Sequence, residues 1–231
     1  MPSRPAPRQL PLDLGHRSGF SRDDLVVTAA NQDAVAYIER WPDWASPVTI
    51  LAGPPGSGKS HLAAIWRDRA DAAMIDPTAI ESPGDERMVA LIEHGDSPRL
   101  DQTGLFHLIN GVRAAGGSLL ITARAFSAVW AVTLPDLASR LKAAATVEIH
   151  EPDDALLAGV IAKLFADRQI DVEPHVVQYI ARRIERSLAT VNAVVERLDQ
   201  LALQQKSRIT RSLALEVVES LDNRQGRLDI E

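Results

Sequence analysis

The stretch LAGPPGSGKSHLAA runs from Leu51 to Ala64. The apolar run Val48–Ala52 stops at Gly53, and an Ala-rich pattern of helical character follows Ser60. Between them stand Gly53, Pro54, Pro55, Gly56, Ser57, Gly58, Lys59 and Ser60. Glycines allow backbone angles that residues with side chains avoid. Such a loop curls with several N–H groups pointing inward and forms an anion nest. The helix that follows adds the partial positive charge of its N-terminus. Lys59 would reach the β- and γ-phosphates of a bound nucleotide, and Ser60 would place its hydroxyl on Mg²⁺. His61 completes the phosphate-facing set in the first helical turn. The pattern G-x-x-x-x-G-K-[ST] is matched in full between a predicted strand and a predicted helix. That context separates it from an ordinary glycine-rich turn.

The composition is that of a chain with a proper core. Apolar residues make up 45% of 231, enough for one large domain or two small ones. There are no cysteines, which excludes disulfides and thiolate metal sites. The 6 histidines show no metal-ligand spacing. The net charge is −6 and the pI about 5.5, a poor balance for general nucleic-acid binding. No apolar stretch is long enough to span a membrane. The N-terminal stretch is basic without the apolar centre of a signal peptide. The expected location is the cytoplasm.

Residues 1–22 hold 4 of the 14 prolines and read as a flexible tail. Val26 to Arg40 reads as a short strand or turn followed by a helix. Apolar runs recur at Val48–Ala52, Ala72–Ile75, Val89–Ile92, Ser118–Thr122 and Thr146–Ile149. Helical patterns separate most of them, as at Leu105–Ala114. This alternation predicts an α/β fold, a parallel five-stranded sheet covered by helices. The segment between Asp76 and Glu93 is short and polar, so its helix is expected to be reduced. After Glu151-Pro152 the spacing becomes helical throughout, at Asp153–Arg168, Pro174–Ile184, Ser187–Gln205 and Thr210–Leu221. Asp153 and Thr210 suit N-caps, and Pro174 suits a first turn. The expected organisation is a tail over 1–22, an α/β nucleotide-binding domain over 23–151 and a small all-helical lid domain over 152–231.

A P-loop domain followed by a helical lid resembles the AAA+ arrangement. More specifically, the chain resembles the DnaA-related AAA+ family and, within it, the shorter Hda type. The resemblance covers residues 9 to 222, in DDLVVTAANQDAVAYIERWPDW, GPPGSGKS, LFHLINGVRAAGGSLLITARA and LPDLASRLKAA. It rests on their order and spacing, since no segment beyond the P-loop is decisive alone. It implies an adenine nucleotide, ADP or ATP with Mg²⁺, in the loop. Val26, Val27 and Asn31 would border the base, in a pocket that is mostly apolar with few polar groups.

The resemblance implies further roles, residue by residue. AAA+ ATPases usually end the third strand with two acids, one organising Mg²⁺ and one activating water. Here Glu93 stands first and would assist the metal, but His94 stands where the second acid is expected. That substitution points to weak hydrolysis; Asp96, two residues on, reads as a loop residue. Thr122, at the fourth strand's end, matches the first sensor. The second sensor position falls on Ala189; Arg186, one turn earlier, either substitutes for it or is a surface charge. Arg140, in PDLASRL, matches the arginine finger that one subunit inserts into a neighbour's site, a role suited to a planar, always-charged fork.

Gln9, Leu10, Leu12 and Leu14 in QLPLDL resemble the motif with which Hda-type proteins bind the DNA polymerase sliding clamp. A Pro-rich tail cannot bury 3 leucines by itself, so they are idle or offered to a partner. DnaA itself continues into a DNA-reading domain, and this chain ends soon after its last lid helix, so no sequence-specific DNA binding is expected. The resemblance thus implies a regulator of replication initiation. It would bind clamp and DnaA, act through Arg140 on DnaA-bound ATP, and self-assemble where Arg140 served its own site. The alternative is a self-sufficient AAA+ ATPase acting as a replication motor or helicase loader. On the first reading, replacing Leu12 and Leu14 with alanine abolishes clamp capture and spares nucleotide binding. Normal capture by a chain lacking residues 1–16 would contradict it.

Overall fold

The structure, a computed structural model, describes residues 22, 25–81 and 88–228. The sliding-clamp motif at Gln9 to Leu14 lies outside the described residues.

Helix α1 (Gln32–Glu39) precedes strand β1 (Val48–Ala52), and α2 (Lys59–Ala70) follows the loop. Next come β2 (Ala73–Ile75), β3 (Val89–Ile92), α3 (Gln102–Ala115), β4 (Ser118–Ala123), α4 (Pro135–Lys142) and β5 (Ala145–Glu148). The strands form one five-stranded sheet in the order β2-β3-β4-β1-β5, every pairing parallel. All C-terminal strand ends therefore share one edge, where open α/β sheets bind ligands. The register sets Leu51 opposite Thr122 and Ala52 opposite Ala123, which brings the P-loop beside the end of β4.

Both sheet faces are covered, so the central strands read as continuous apolar runs. Side chains alternate across the sheet. Ile50, Ile92, Leu119 and Ile121 pack with α3 and α4 residues such as Leu108 and Leu137. Leu51, Leu91 and Leu120 pack on the other face with Leu62 and Trp66 of α2 and Val35 of α1. A second core lies in the helical part, α5 (Asp154–Asp167), α6 (Pro174–Ala181), α7 (Leu188–Gln205) and α8 (Arg211–Leu228), around Ile161, Phe165, Ile180 and Leu198.

Local chemistry explains several boundaries. Asp153 caps α5 by accepting the Leu156 N–H at 2.6 Å, and Ser187 caps α7 by accepting the Ala189 N–H at 3.2 Å. The described segment from Leu25 to Asn31, before α1, is coil and turn without a strand. No helix forms between β2 and β3 among the described residues. Helix α6 stops at Ala181, before the end of the periodic pattern, because Ile184 packs into the lid core from a turn. No helix among the described residues is long and apolar enough to cross a membrane.

Asp101 ties the sheet to α3. Its carboxylate accepts the Gly104 N–H at 2.9 Å and the Ile80 N–H at 3.3 Å, joining the N-cap to the segment after β2. Asp101→Ala is expected to cost about 1–2 kcal/mol, the upper range for a lost N-cap. Urea unfolding measures it, and an unchanged midpoint would show that the cap contributes nothing.

Candidate nucleotide-binding site

A cavity of about 580 Å³ opens at the shared strand ends, between the P-loop, the segment from Leu25 to Val35, and lid helices α5 and α7. One part is polar, lined by the loop from Pro55 to His61 with His94, Thr122 and Arg124. The other part is apolar, with Leu25, Val26, Val35, Leu156, Val160 and Leu164 on its walls.

The loop has the conformation that its glycines allow. Gly56 has φ +72° and Gly58 φ +100°, the latter as the residue that starts α2. A Cβ on Gly56 would stand 2.1 Å from Ser187 Oγ, so a side chain is excluded by space as well as by angle. The Leu188 N–H donates to the Gly56 carbonyl at 2.8 Å, joining lid helix α7 directly to the loop. At the loop's base the Gly53 N–H donates to Ala123 O at 3.2 Å. Lys59 Nζ donates to Gly53 O and Pro54 O, both at 2.7 Å, and more weakly to Ser57 Oγ at 3.4 Å. Burial holds the Lys59 pKa below 10.5; Asp96 opposes that shift and Arg124 adds to it.

The segment expected to border the base divides in two. Val26 lines the cavity, while Val27 is 44% exposed and does not. Asn31 lines the cavity but spends its side chain on its own turn. Its Oδ1 accepts the Thr28 N–H and its Nδ2 donates to Val26 O, both at 2.8 Å. It shapes the wall that Val26 presents.

At the end of β3, Glu93 does not line the cavity, and its Oε1 is buried without a hydrogen bond. His94 does line it, in a left-handed turn with φ +59°. That turn is fixed on Thr122, whose hydroxyl accepts the His94 N–H at 3.3 Å and whose carbonyl accepts the Gly95 N–H at 2.8 Å. Thr122 is thus held in place on the cavity wall. Asp96 accepts the Arg124 N–H at 3.0 Å and is the acid that acts on Lys59.

Ala189 lines the cavity on the lid side. Arg186 does not; its guanidinium donates to Asp154 at 2.9 Å and to Pro152 O at 3.3 Å. Arg140, on the α4 helix that buries Leu137 and Leu141, is half-buried, outside the cavity lining, and in no ion pair among the described residues. Sequence reasoning missed three charged residues of the lining, Arg124, Lys163 and Asp167. Arg124 was within reach, since it directly follows a strand end on the ligand edge. Lys163 and Asp167 pair at 3.1 Å on α5, and only the lid's docking shows that they face the cavity.

The residues fit a polyphosphate: a nest without side chains, a helix N-terminus and a lysine converge on one space. For Mg²⁺, Ser60 is in the lining. No group of three or more His, Asp or Glu able to hold a metal occurs among the described residues, so a metal here would be held largely by the phosphates.

Comparison with known proteins places this geometry. Residues 160–217 match the family model of the Hda lid domain. Domain III of the Thermotoga maritima replication initiation protein DnaA superposes with a TM-score of 0.71 at 16% identity, covering 92% of this chain and 98% of that one. A replication initiator DnaA bound to AMPPCP and single-stranded DNA gives 0.64 at 14% identity, covering 81% and 68%. An uncharacterized protein of Haemophilus influenzae is 23% identical over 184 residues, 73% of this chain and 80% of that protein. The fold is thus similar to that of DnaA domain III, and the helical part from 160 to 217 matches the Hda lid domain.

Lys59 makes a pH prediction. Because its pKa is lowered, the folded chain has released a proton between that value and 10.5 while the unfolded chain keeps it. Stability therefore rises with pH through this window. Bound phosphates favour the charged ammonium and reverse the shift, so ADP binding takes up a proton there and weakens as pH rises. Calorimetry in buffers of different ionisation enthalpy measures the uptake. Lys59→Met should remove it, and equal uptake by the variant would assign the proton to another group.

Proposed function

We propose that the chain is a regulatory AAA+ protein of replication initiation. It holds an adenine nucleotide with Mg²⁺ in its own P-loop and lends Arg140 to a DnaA protein carrying ATP. Hydrolysis then takes place in the partner, leaving it in the ADP state. The tail from Gln9 to Leu14 would tether the complex to the sliding clamp. The DnaA-like fold, the Hda-type lid and an AMPPCP-bound structural neighbour support the nucleotide and the partner.

The observation that carries the reading is the position of Arg140, outside the chain's own cavity and without an ion pair among the described residues. A guanidinium that cannot serve its own site from there suits another molecule's site, where an arginine supplied in trans accelerates phosphoryl transfer by roughly 10³–10⁵. The chain's own cavity is poorly equipped for catalysis, because Glu93 is outside it and His94 stands at its edge.

A second reading, a self-sufficient ATPase, is favoured by Thr122, which lines the same cavity as the motif lysine. Single-turnover hydrolysis of ATP preloaded on DnaA, with clamp loaded on DNA, separates the two. Wild-type chain should stimulate it, Arg140→Ala should abolish the stimulation, and Arg140→Lys should restore little, since an ammonium lacks the planar two-pronged contact. Full stimulation by Arg140→Ala would contradict the trans role. Turnover by the chain alone at about 1–10³ s⁻¹, the range of ordinary enzymes, would establish the second reading.

A further inference from the structure

The polar part of the cavity holds a cation that the G-x-x-x-x-G-K-[ST] motif does not account for. Lys59 is the motif's own lysine. Arg124 is a further cation on the strand-end wall of the same lining, one residue beyond the end of β4, while Lys163 lies on the lid wall paired with Asp167. The register carries it there: Ala52 pairs with Ala123, and the Gly53 N–H continues the ladder onto Ala123 O, so Arg124 starts level with the base of the P-loop. Its backbone is fixed by the Asp96 carboxylate at 3.0 Å. Thr122, two residues earlier, lines the same wall.

Among the described residues the lid supplies no arginine to this space. Ala189 occupies the lid wall, and Arg186 is committed to Asp154 and the Pro152 carbonyl. A triphosphate with its inner phosphates on the loop amides would extend its terminal phosphate beyond them, towards the strand ends. There it would meet Lys59, the Thr122 hydroxyl and Arg124. A guanidinium suits this position because its planar fork can grip two phosphate oxygens together.

We propose that Arg124 reads the terminal phosphate in cis, so that the cavity distinguishes ATP from ADP without a lid arginine. This rests on the nucleotide-binding reading above and adds the residue that senses the nucleotide state. Asp96 is its positioning partner: it holds the Arg124 backbone and supplies the counter-charge that lets two cations share one wall while the terminal phosphate is absent. The inference gives the regulator a means of coupling its own nucleotide to its shape, since the loop that Arg124 leads joins β4 to the helix bearing Arg140.

The test is calorimetric titration of the full chain with ADP and, separately, with the analogue AMPPCP, both with Mg²⁺. The wild type, Arg124→Ala, Arg124→Gln and Arg186→Ala are compared, with thermal melting to verify that each variant is folded. The triphosphate-to-diphosphate affinity ratio should fall by about tenfold or more in Arg124→Ala and Arg124→Gln, the scale of a lost charge-assisted hydrogen bond. Arg186→Ala should keep the wild-type ratio. An unchanged ratio in both Arg124 variants, or an equal fall in Arg186→Ala, would overturn the assignment. Absence of any adenine-nucleotide binding by the wild type would overturn the underlying reading as well, and so the two failures are distinguishable.

Discussion

The contact between Leu188 N–H and the Gly56 carbonyl, at 2.8 Å, organises the rest of the molecule. It joins the first turn of a lid helix to the middle of the P-loop. The contact needs Gly56 to be a glycine twice over: φ is +72°, and a Cβ would collide with Ser187. The same residue thus lines the cavity and gives its carbonyl to the lid. With the lid docked there, α5 and α7 form one side of the cavity and the strand ends the other. A ligand that altered the loop would act directly on the placement of the lid.

Charge in the cavity is arranged around Lys59. Half-buried and bonded to two carbonyls, its ammonium is held in a state that phosphates would relieve. Asp96 and Arg124 act on it in opposite senses. The acid expected to face the metal, Glu93, is half-buried outside the lining with its Oε1 buried, and the histidine after it turns on Thr122. These features underlie the proposal that the chain holds a nucleotide and leaves its consumption to a partner. Arg140 stands apart, on a helix whose apolar face is buried and whose arginine takes no part in the cavity.

Much of this was legible in the sequence, for identifiable reasons. Strands Val48–Ala52 and Val89–Ile92 appear with the bounds read from their apolar runs, because strands buried on both faces leave an unbroken signal. The lid helices and their caps at Asp153 and Thr210 were readable from 3.6-residue spacing and local chemistry, whereas the Ser187 cap was not read. The α/β fold and its helical lid follow from that alternation and agree with the comparisons. What spacing could not show was direction. Whether Arg186 faces the cavity or Asp154, whether Asn31 faces a ligand or its own turn, and whether Glu93 or Asp96 is felt by Lys59 all depend on tertiary placement. Val27 alternates with Val26 along an extended segment, so only one of the two can face inward.

The proposed role depends on the cavity being a nucleotide site. Titration of ADP into the purified full chain by calorimetry, with wild type and Lys59→Ala side by side, tests this most directly. The account predicts saturable one-to-one binding by the wild type and strong loss in Lys59→Ala, which removes the counter-charge buried against the phosphates. Equal affinity of the two proteins for ADP, or no binding by the wild type, would contradict it.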